Sequence, residues 1–305
     1  MVVDGGVSGG WASTSIRNAF TVDVEDYYHV SAFGDRIRPA DWDGFESRVV
    51  ANTEKILRLL SRHNVRATFF VLGWVADRFP SLVRDIACEG HEIGCHSYSH
   101  RLVYEQTEEE FRADLRRALD ALDRAAGVTA HAYRAPSFSL TERSLWALEI
   151  LAEEGITLDS SIFPVRHDRY GIPGADRFPH RVELSGRTLV EFPPSVYRFG
   201  RVNMPVAGGG YFRLLPLRAT SHAIRRTNAA DRQPFMFYIH PWELDPEQPR
   251  LPGRLLSRIR HYQNLRSTAA KLDRLLSRFP FGSASDALHG RLLGDGTPLA
   301  SRAAS

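Results

Sequence analysis

Glu92-Ile93-Gly94-Cys95-His96-Ser97-Tyr98-Ser99-His100 carries two signals in one short stretch. The apolar run Glu92–Cys95 reads as a buried strand, and the two histidines fall where that strand gives way to a loop or helix. Enzymes built on parallel sheets keep their chemistry at that end. Two imidazoles four residues apart can close on one metal ion, although two surface histidines on a helix would show the same spacing. What separates the readings is company, namely Asp23-Val24-Glu25-Asp26, Arg134-Ala135-Pro136, Asp159-Ser160-Ser161 and His240-Pro241-Trp242-Glu243.

Working outward by apolar periodicity, short strands are expected over residues 19–24, 67–72, 92–95, 131–134, 156–159, 188–192 and 235–240. Helical patterns lie between most of them. The clearest helix opens with the capping box Thr107-Glu108-Glu109-Glu110 and sets Phe111, Leu115, Leu119 and Leu122 on one face. Further helices are expected over 45–63, 81–89, 141–154, 216–229 and 262–279. Strand-helix alternation predicts an α/β fold on a parallel sheet, and seven to eight units favour a barrel closed on itself, a (β/α)7-8 TIM-like barrel, over an open sheet. Residues 163–187 and 199–211 break the rhythm and read as long loops; Gly208-Gly209-Gly210 lacks the lysine and helix-opening context of a phosphate loop. One barrel domain is expected over 18–282, between a flexible N-terminus (1–17) and a disordered tail (283–305) rich in Ala, Ser, Gly and Arg.

A chain of 305 residues, 43% hydrophobic and 25% charged, can bury a large core. The formal charge of +3 comes almost wholly from arginine, with Lys55 and Lys271 as the two lysines, and the cations are spread along the chain. That distribution reads as a solvated surface and excludes a nucleic-acid patch. Cys88 and Cys95 provide no disulfide framework, and their apolar neighbours predict buried free thiols. There is neither a basic-plus-apolar leader pattern nor an 18-residue apolar run, so no membrane span is expected and the expected compartment is the cytoplasm.

Every polar cluster falls at the C-terminal end of an expected strand. Asp23 and Glu25 end the first, His96 and His100 follow the third, Arg134 ends the fourth, Asp159 the fifth and His240 the last. In a parallel barrel those ends converge on one rim, where mutual pairing and a metal offset the cost of burying charge. Two histidines and a carboxylate suit a divalent ion with positions left open for water and substrate, zinc first, then cobalt, nickel, manganese or iron. Hydrolysis would further need a base, an acid and donors for an oxyanion.

This set resembles the polysaccharide deacetylases, the NodB-homology enzymes of carbohydrate esterase family four, over roughly residues 20–241. Thr21-Val22-Asp23-Val24-Glu25-Asp26 is similar to the first motif of that family, and His96-Ser97-Tyr98-Ser99-His100 matches the second in full. Arg134-Ala135-Pro136-Ser137-Phe138, Asp159-Ser160-Ser161 and Phe237-Tyr238-Ile239-His240 resemble the third, fourth and fifth. Longer stretches around residues 21–30, 134–139, 167–173, 208–215 and 235–248 resemble the subgroup associated with exosortase (PEP-CTERM) and exopolysaccharide loci.

The resemblance implies a distorted NodB-like barrel with Asp23 as catalytic base, His96 and His100 as metal ligands, Arg134 as the group that orients Asp23, and His240 as general acid. It further implies a backbone N–H near Ser137 for the oxyanion and a catalytic-site place for Asp159. Where the family has a metal-binding Asp directly after the base, this chain has Val24. Glu25 shares a strand face with Asp23 and becomes the expected third ligand, with Asp26 as the alternative if the strand ends in a bulge or turn. Tyr211 is a candidate sugar contact beside the glycines. The activity implied is removal of N-acetyl groups from amino sugars of an exopolysaccharide or its precursor. Two rivals stand beside it: a metal-free, allantoinase-like hydrolase of cyclic amides on the same fold, and a non-catalytic glycan-binding barrel.

Overall fold

A computed structural model of the chain describes residues 16–289, 291 and 292. Seven strands run parallel in the order β10 (Met236–Ile239), β1 (Asn18–Val24), β2 (Thr68–Val71), β3 (Glu92–Cys95), β4 (Ala132–Tyr133), β5 (Leu158–Asp159) and β7 (Arg187–Glu191). All seven lie within the expected runs or overlap them by all but one residue. Val, Ile, Phe, Tyr and Thr recur in them, residues that pack well on a pleated, buried surface. β6 (His180–Leu184) adds an antiparallel edge to β7, and β11 (Phe281–Gly282) pairs with the start of β1.

The ring is not closed by strand pairing. Past the end of β7 the chain turns toward β10, where Ser195 N–H donates to the Met236 carbonyl (3.4 Å) and its Oγ accepts from Met236 N–H (2.8 Å). A side chain thus spans the seam that a further strand would fill, which makes the barrel a distorted one of seven parallel strands.

Helices α1 (Val49–Arg62), α2 (Gly73–Arg78), α3 (Pro80–Cys88), α4 (Glu108–Ala126) and α5 (Ala147–Glu153) follow β1, β2 and β4 or precede the next strand. They bury their apolar faces, such as Ile56 and Leu60 or Phe111, Leu115 and Leu122, against the outward side chains of the strands. α4 begins and ends as its sequence dictates. Thr107 Oγ1 accepts from Glu110 N–H, Glu110 Oε2 accepts from Thr107 N–H, and Gly127 closes the helix at φ +64°.

The barrel interior is a smaller cluster, with Ala19, Phe70, Ala132, Leu158, Val190 and Met236 each contributed by a different strand. Gly94 supplies the remaining inner position of β3, where a Cβ would stand 2.5 Å from the Phe70 ring.

Several expectations need correction. Residues 199–211 are not a plain loop: β8 (Val196–Phe199) and β9 (Val202–Pro205) form a hairpin that leads into α6 (Gly209–Leu214) and α7 (Leu217–Arg226). α8 (Leu255–Tyr262) precedes the expected α9 (Leu265–Leu276). The disordered tail does not begin at 283, because α10 (Ala284–Leu288) turns its buried Ala284, Ala287 and Leu288 into the inner cluster and plugs the N-terminal end of the barrel. Ser283 caps that helix by accepting from Asp286 N–H. The rest of the expected tail, apart from Arg291 and Leu292, and residues 1–15 of the expected N-terminus lie outside the described residues. Cys95 is buried as expected, but Cys88 is exposed on the outer face of α3, two residues past the inward Ile86.

Candidate active site

Asp23 lies in the barrel mouth because residues 19, 21 and 23 of β1 alternate inward. Arg134, directly after β4 and wholly buried, donates from Nη1 to Asp23 Oδ1 (2.6 Å) and to Thr21 Oγ1 (2.7 Å), and from Nη2 to Ser160 Oγ (2.8 Å). Its guanidinium covers the Phe70 ring at 4.2 Å. A buried cation satisfied on every side in this way fixes the rotamer of the carboxylate that it pairs with.

Glu25, His96 and His100, all buried, place three ligand atoms within 4.8 Å of one another. His96 and Glu25 are oriented by neighbours outside the set. His96 Nδ1 is 2.7 Å from the Arg134 carbonyl, an acceptor, so Nδ1 carries the proton and Nε2 presents its lone pair. Burial lowers the His96 imidazole to about 4, which keeps it neutral. Glu25 Oε1 accepts from Trp242 Nε1 (3.3 Å), while Oε2 is buried without a hydrogen-bond partner although His100 Nε2 is 2.8 Å away. Burial alone would raise the Glu25 carboxyl, but His100, His240 and His96 hold it well below its ordinary value. Two imidazole nitrogens and an orphaned carboxylate oxygen facing one point are a donor set that fits a small divalent cation.

The loop that carries both histidines is tied to α4. Asp114 accepts from Tyr98 N–H (2.7 Å) and from Ser99 Oγ (2.7 Å). Of the seven non-glycine residues with positive φ among the described residues, Ser97, His100, Ser137 and Phe138 stand in the two loops at this mouth. Backbone strain gathered at one place marks a site that its surroundings hold in shape.

His240 follows β10 and faces the same point, with Nε2 3.5 Å from Glu25 Oε1 and 3.8 Å from Asp23 Oδ2. Its Nδ1 lies 2.8 Å from Glu243 Oε1, and Glu243 Oε2 accepts in turn from the buried Arg213 (2.6 Å). Burial works to lower the His240 imidazole, yet the Glu243 hydrogen bond and the Glu25 charge outweigh it and raise it to about 9. These groups line a cavity of about 140 Å³, with Ser137, Phe138, Tyr170 and Trp242 on its walls. A larger groove of about 870 Å³, between α1 and α9 and lined by Lys55, Arg58 and Arg62, holds no convergent ligand set.

Asp26 is not the carboxylate at the cation point. Its Oδ2 accepts from Ser47 Oγ and from the N–H groups of Arg48 and Val49, and so caps the start of α1. Asp159 is displaced from the expected site as well. It meets Glu191, its register partner on β7, and its Oδ1 accepts from Ser161 Oγ, which accepts from Ala135 N–H. Arg134 makes no ion pair with it; the guanidinium turns to Asp23 on β1 instead. Asp159 therefore braces the loop after β4 from behind and does not line the cavity. Ser137 is on the wall, its Oγ 2.7 Å from Ser31 Oγ, whereas Tyr211 stands one residue back, its hydroxyl 3.4 Å from that of Tyr170.

Periodicity alone missed Tyr170 and Arg169, which line the cavity from an irregular segment, and Arg213, which the short α6 carries. Trp242 and Glu243 were legible as part of His240-Pro241-Trp242-Glu243, but without a role of their own.

Residues 42–156 match the family model described as polysaccharide deacetylase, and residues 160–289 match one described as a domain of unknown function (DUF3473). These matches, with the relatives below, support the polysaccharide deacetylase family. A peptidoglycan-N-acetylglucosamine deacetylase of Bacillus cereus is 44% identical over 98 residues, 32% of this chain and 36% of that protein. The chain thus spans about a third of the length of the first curated relatives that it matches. A solved polysaccharide-deacetylase-like protein of Mycobacterium smegmatis is similar with a TM-score of 0.58 at 22% identity, covering 89% of this chain and 88% of that one. A Puue allantoinase is similar with a TM-score of 0.58 at 15% identity, covering 91% and 90%. At such identities the two structures speak for the fold alone.

Proposed function

We propose that the chain is a metal-dependent hydrolase that removes N-acetyl groups from amino sugars of a glycan. The observation that carries this reading is the meeting of Glu25, His96 and His100 with the Arg134-held Asp23 and with His240 in one cavity. A divalent cation held by Glu25, His96 and His100, zinc by the chemistry of the donor set, would polarise the amide carbonyl and acidify water. The protein supplies the rest. Asp23, held at Oδ1 by Arg134, keeps Oδ2 free to take the proton of the attacking water. His240, kept protonated by Glu243, donates to the amine as the C–N bond breaks, and Ser137 stands where a backbone donor meets the developing oxyanion. The products are acetate and a free amino sugar.

A cavity of about 140 Å³ takes an acetamido group and part of its sugar, so the remaining glycan lies across the mouth. The finer reading takes as substrate an exopolysaccharide or its precursor, reached in the cytoplasm before export, and rests on the subgroup resemblance of residues 134–139 and 235–248. The orphaned Glu25 oxygen beside two histidines favours it over a metal-free amide hydrolase.

Acetate release from N-acetylglucosamine oligomers and from N-acetylated exopolysaccharide tests the reading. The wild type is expected to release acetate, and Asp23→Asn to lower turnover by about 10² to 10⁴ while keeping its metal. Full activity in Asp23→Asn, or no acetate from any N-acetylated glycan, would overturn it.

A further inference from the structure

Eight large apolar side chains stand exposed among the described residues, and seven of them fall between positions 199 and 259. Phe199, Val202 and Met204 are on the β8–β9 hairpin, Leu214 ends α6, and Leu255, Leu256 and Ile259 are on α8; Leu145 is the eighth. A surface spreads such residues singly when they have no purpose, and their concentration on a few elements that reach one loop marks an interaction face.

Charge follows the same division. Residues 192–230 contain six arginines and no Asp or Glu, and residues 248–272 contain five arginines, Lys271 and again no acid. The remainder of the chain holds 27 basic residues against 36 acidic ones. The net charge of +3 therefore conceals a strongly basic part, which the even reading of the cations along the sequence overlooked. Arg254, directly before α8, and Arg258 and Arg260 on it flank the exposed Leu255, Leu256 and Ile259. Arg254 reaches exposed Asp35 at 3.6 Å, whereas Arg258 and Arg260 have no carboxylate partner among the described residues.

Both elements border the site. The last turn of α8 carries buried His261, whose ring stacks 4.2 Å from Trp242, the donor to Glu25. Arg260 is within electrostatic reach of His167 and Tyr170, and on the other flank Asn203 of β9 donates to the Pro164 carbonyl (2.7 Å). α8 and the hairpin thus adjoin one loop, whose Arg169 and Tyr170 line the cavity.

We propose that α8, assisted by the β8–β9 hairpin, docks the mouth of the site on an anionic phospholipid surface. Short helices with exposed leucines and unpaired arginines settle in the headgroup region of such membranes, where apolar burial and attraction to lipid phosphate act together. A second copy of the chain suits the face poorly, because two such faces would bring arginine against arginine. None of the described helices is long and apolar enough to cross a membrane. Docking goes beyond the hydrolase reading and stands whether or not that reading does.

Co-sedimentation of the full chain with phosphatidylglycerol–phosphatidylcholine vesicles, and with pure phosphatidylcholine vesicles, tests the proposal. The wild type is expected to bind the anionic vesicles, to release with salt, and to leave the zwitterionic ones unbound. Replacing Leu255, Leu256 and Ile259 together by Ser should lower partition by about tenfold or more. Arg258→Glu with Arg260→Glu should lower it by about fivefold or more per site. All five side chains are exposed, so circular dichroism and thermal unfolding should be unchanged in both variants. Absence of wild-type binding, or a triple-Ser variant that binds as the wild type does, would overturn the proposal. So would wild-type self-association without lipid that the triple-Ser variant loses, which would assign the face to a second copy.

Discussion

Glu243 decides how His240 behaves. The imidazole is buried, which by itself favours the neutral ring, and it is the Glu243 hydrogen bond, with help from Glu25, that raises it to about 9. A cation on Glu25 would cancel that part of the pull and leave Glu243 as the main support. A general acid works while it is protonated, so activity should fall as pH rises through the His240 value. Glu243→Gln keeps the shape and removes the charge. The alkaline limb of turnover against pH is therefore expected to move to lower pH in Glu243→Gln, with the acidic limb unmoved. An alkaline limb at the wild-type position would show that His240 is not the group that it reports.

The individual residues were unevenly legible. Asp23, Glu25, His96, His100, Arg134 and His240 sit on strand ends, where a period of two and a short turn fix direction, and the structure brings all six together. Asp26 and Asp159 are as acidic and as near a strand end, but what they face is decided by elements distant in sequence: the start of α1 for Asp26 and β7 for Asp159.

At the scale of elements, β5 and β7 meet through two carboxyl groups. Asp159 and Glu191 are register partners, wholly buried and side chain against side chain, and Asp159 Oδ2 and Glu191 Oε2 have no other hydrogen-bond partner; two carboxyl groups buried so close together favour one proton between them. Burial, then the neighbouring carboxylate, pushes Glu191 well above its ordinary range, and burial raises Asp159. The folded state then holds a proton that the unfolded chain gives up at ordinary carboxyl pH. The stability that this proton provides is full below the unfolded values and is lost as pH rises toward the folded ones. Glu191→Gln replaces the shared proton by an amide N–H that does not titrate. Urea unfolding should find the variant close to the wild type near pH 5 and more stable than it near pH 8; equal stabilities at both would show that the pair shares no titrating proton.

Elements with strong local signals were legible. α4 has its capping box and its closing glycine, and the seven parallel strands have continuous apolar runs between turn residues. The β8–β9 hairpin and α8 were not, because most of their apolar residues face solvent and so break the inside–outside pattern on which periodicity depends. α10 escaped because five residues of Ala, Ser, Asp and Leu look like a tail until the open end of a barrel is there to receive them.

Taken as a whole, the molecule is a seven-stranded ring with its seam at Ser195, a plug at one end and converging charge at the other. Its N-terminal part carries Asp23, Glu25, His96, His100 and Arg134, and the part after residue 160 returns His240 and Glu243 to the same rim together with the apolar, basic face. Strand alternation predicted the ring, whereas the seam depends on a long-range contact between residues 195 and 236 that no local pattern encodes.

The claim on which the whole reading turns is that Glu25, His96 and His100 hold one cation. Equilibrium dialysis against zinc followed by elemental analysis measures it directly. The wild type and Asp26→Ala are expected to retain about one ion per chain, as a three-ligand site does, and Glu25→Ala and His96→Ala to lose most of it while remaining folded. Zinc retained by folded Glu25→Ala and His96→Ala at the wild-type level, or a wild type that retains none, would contradict the account.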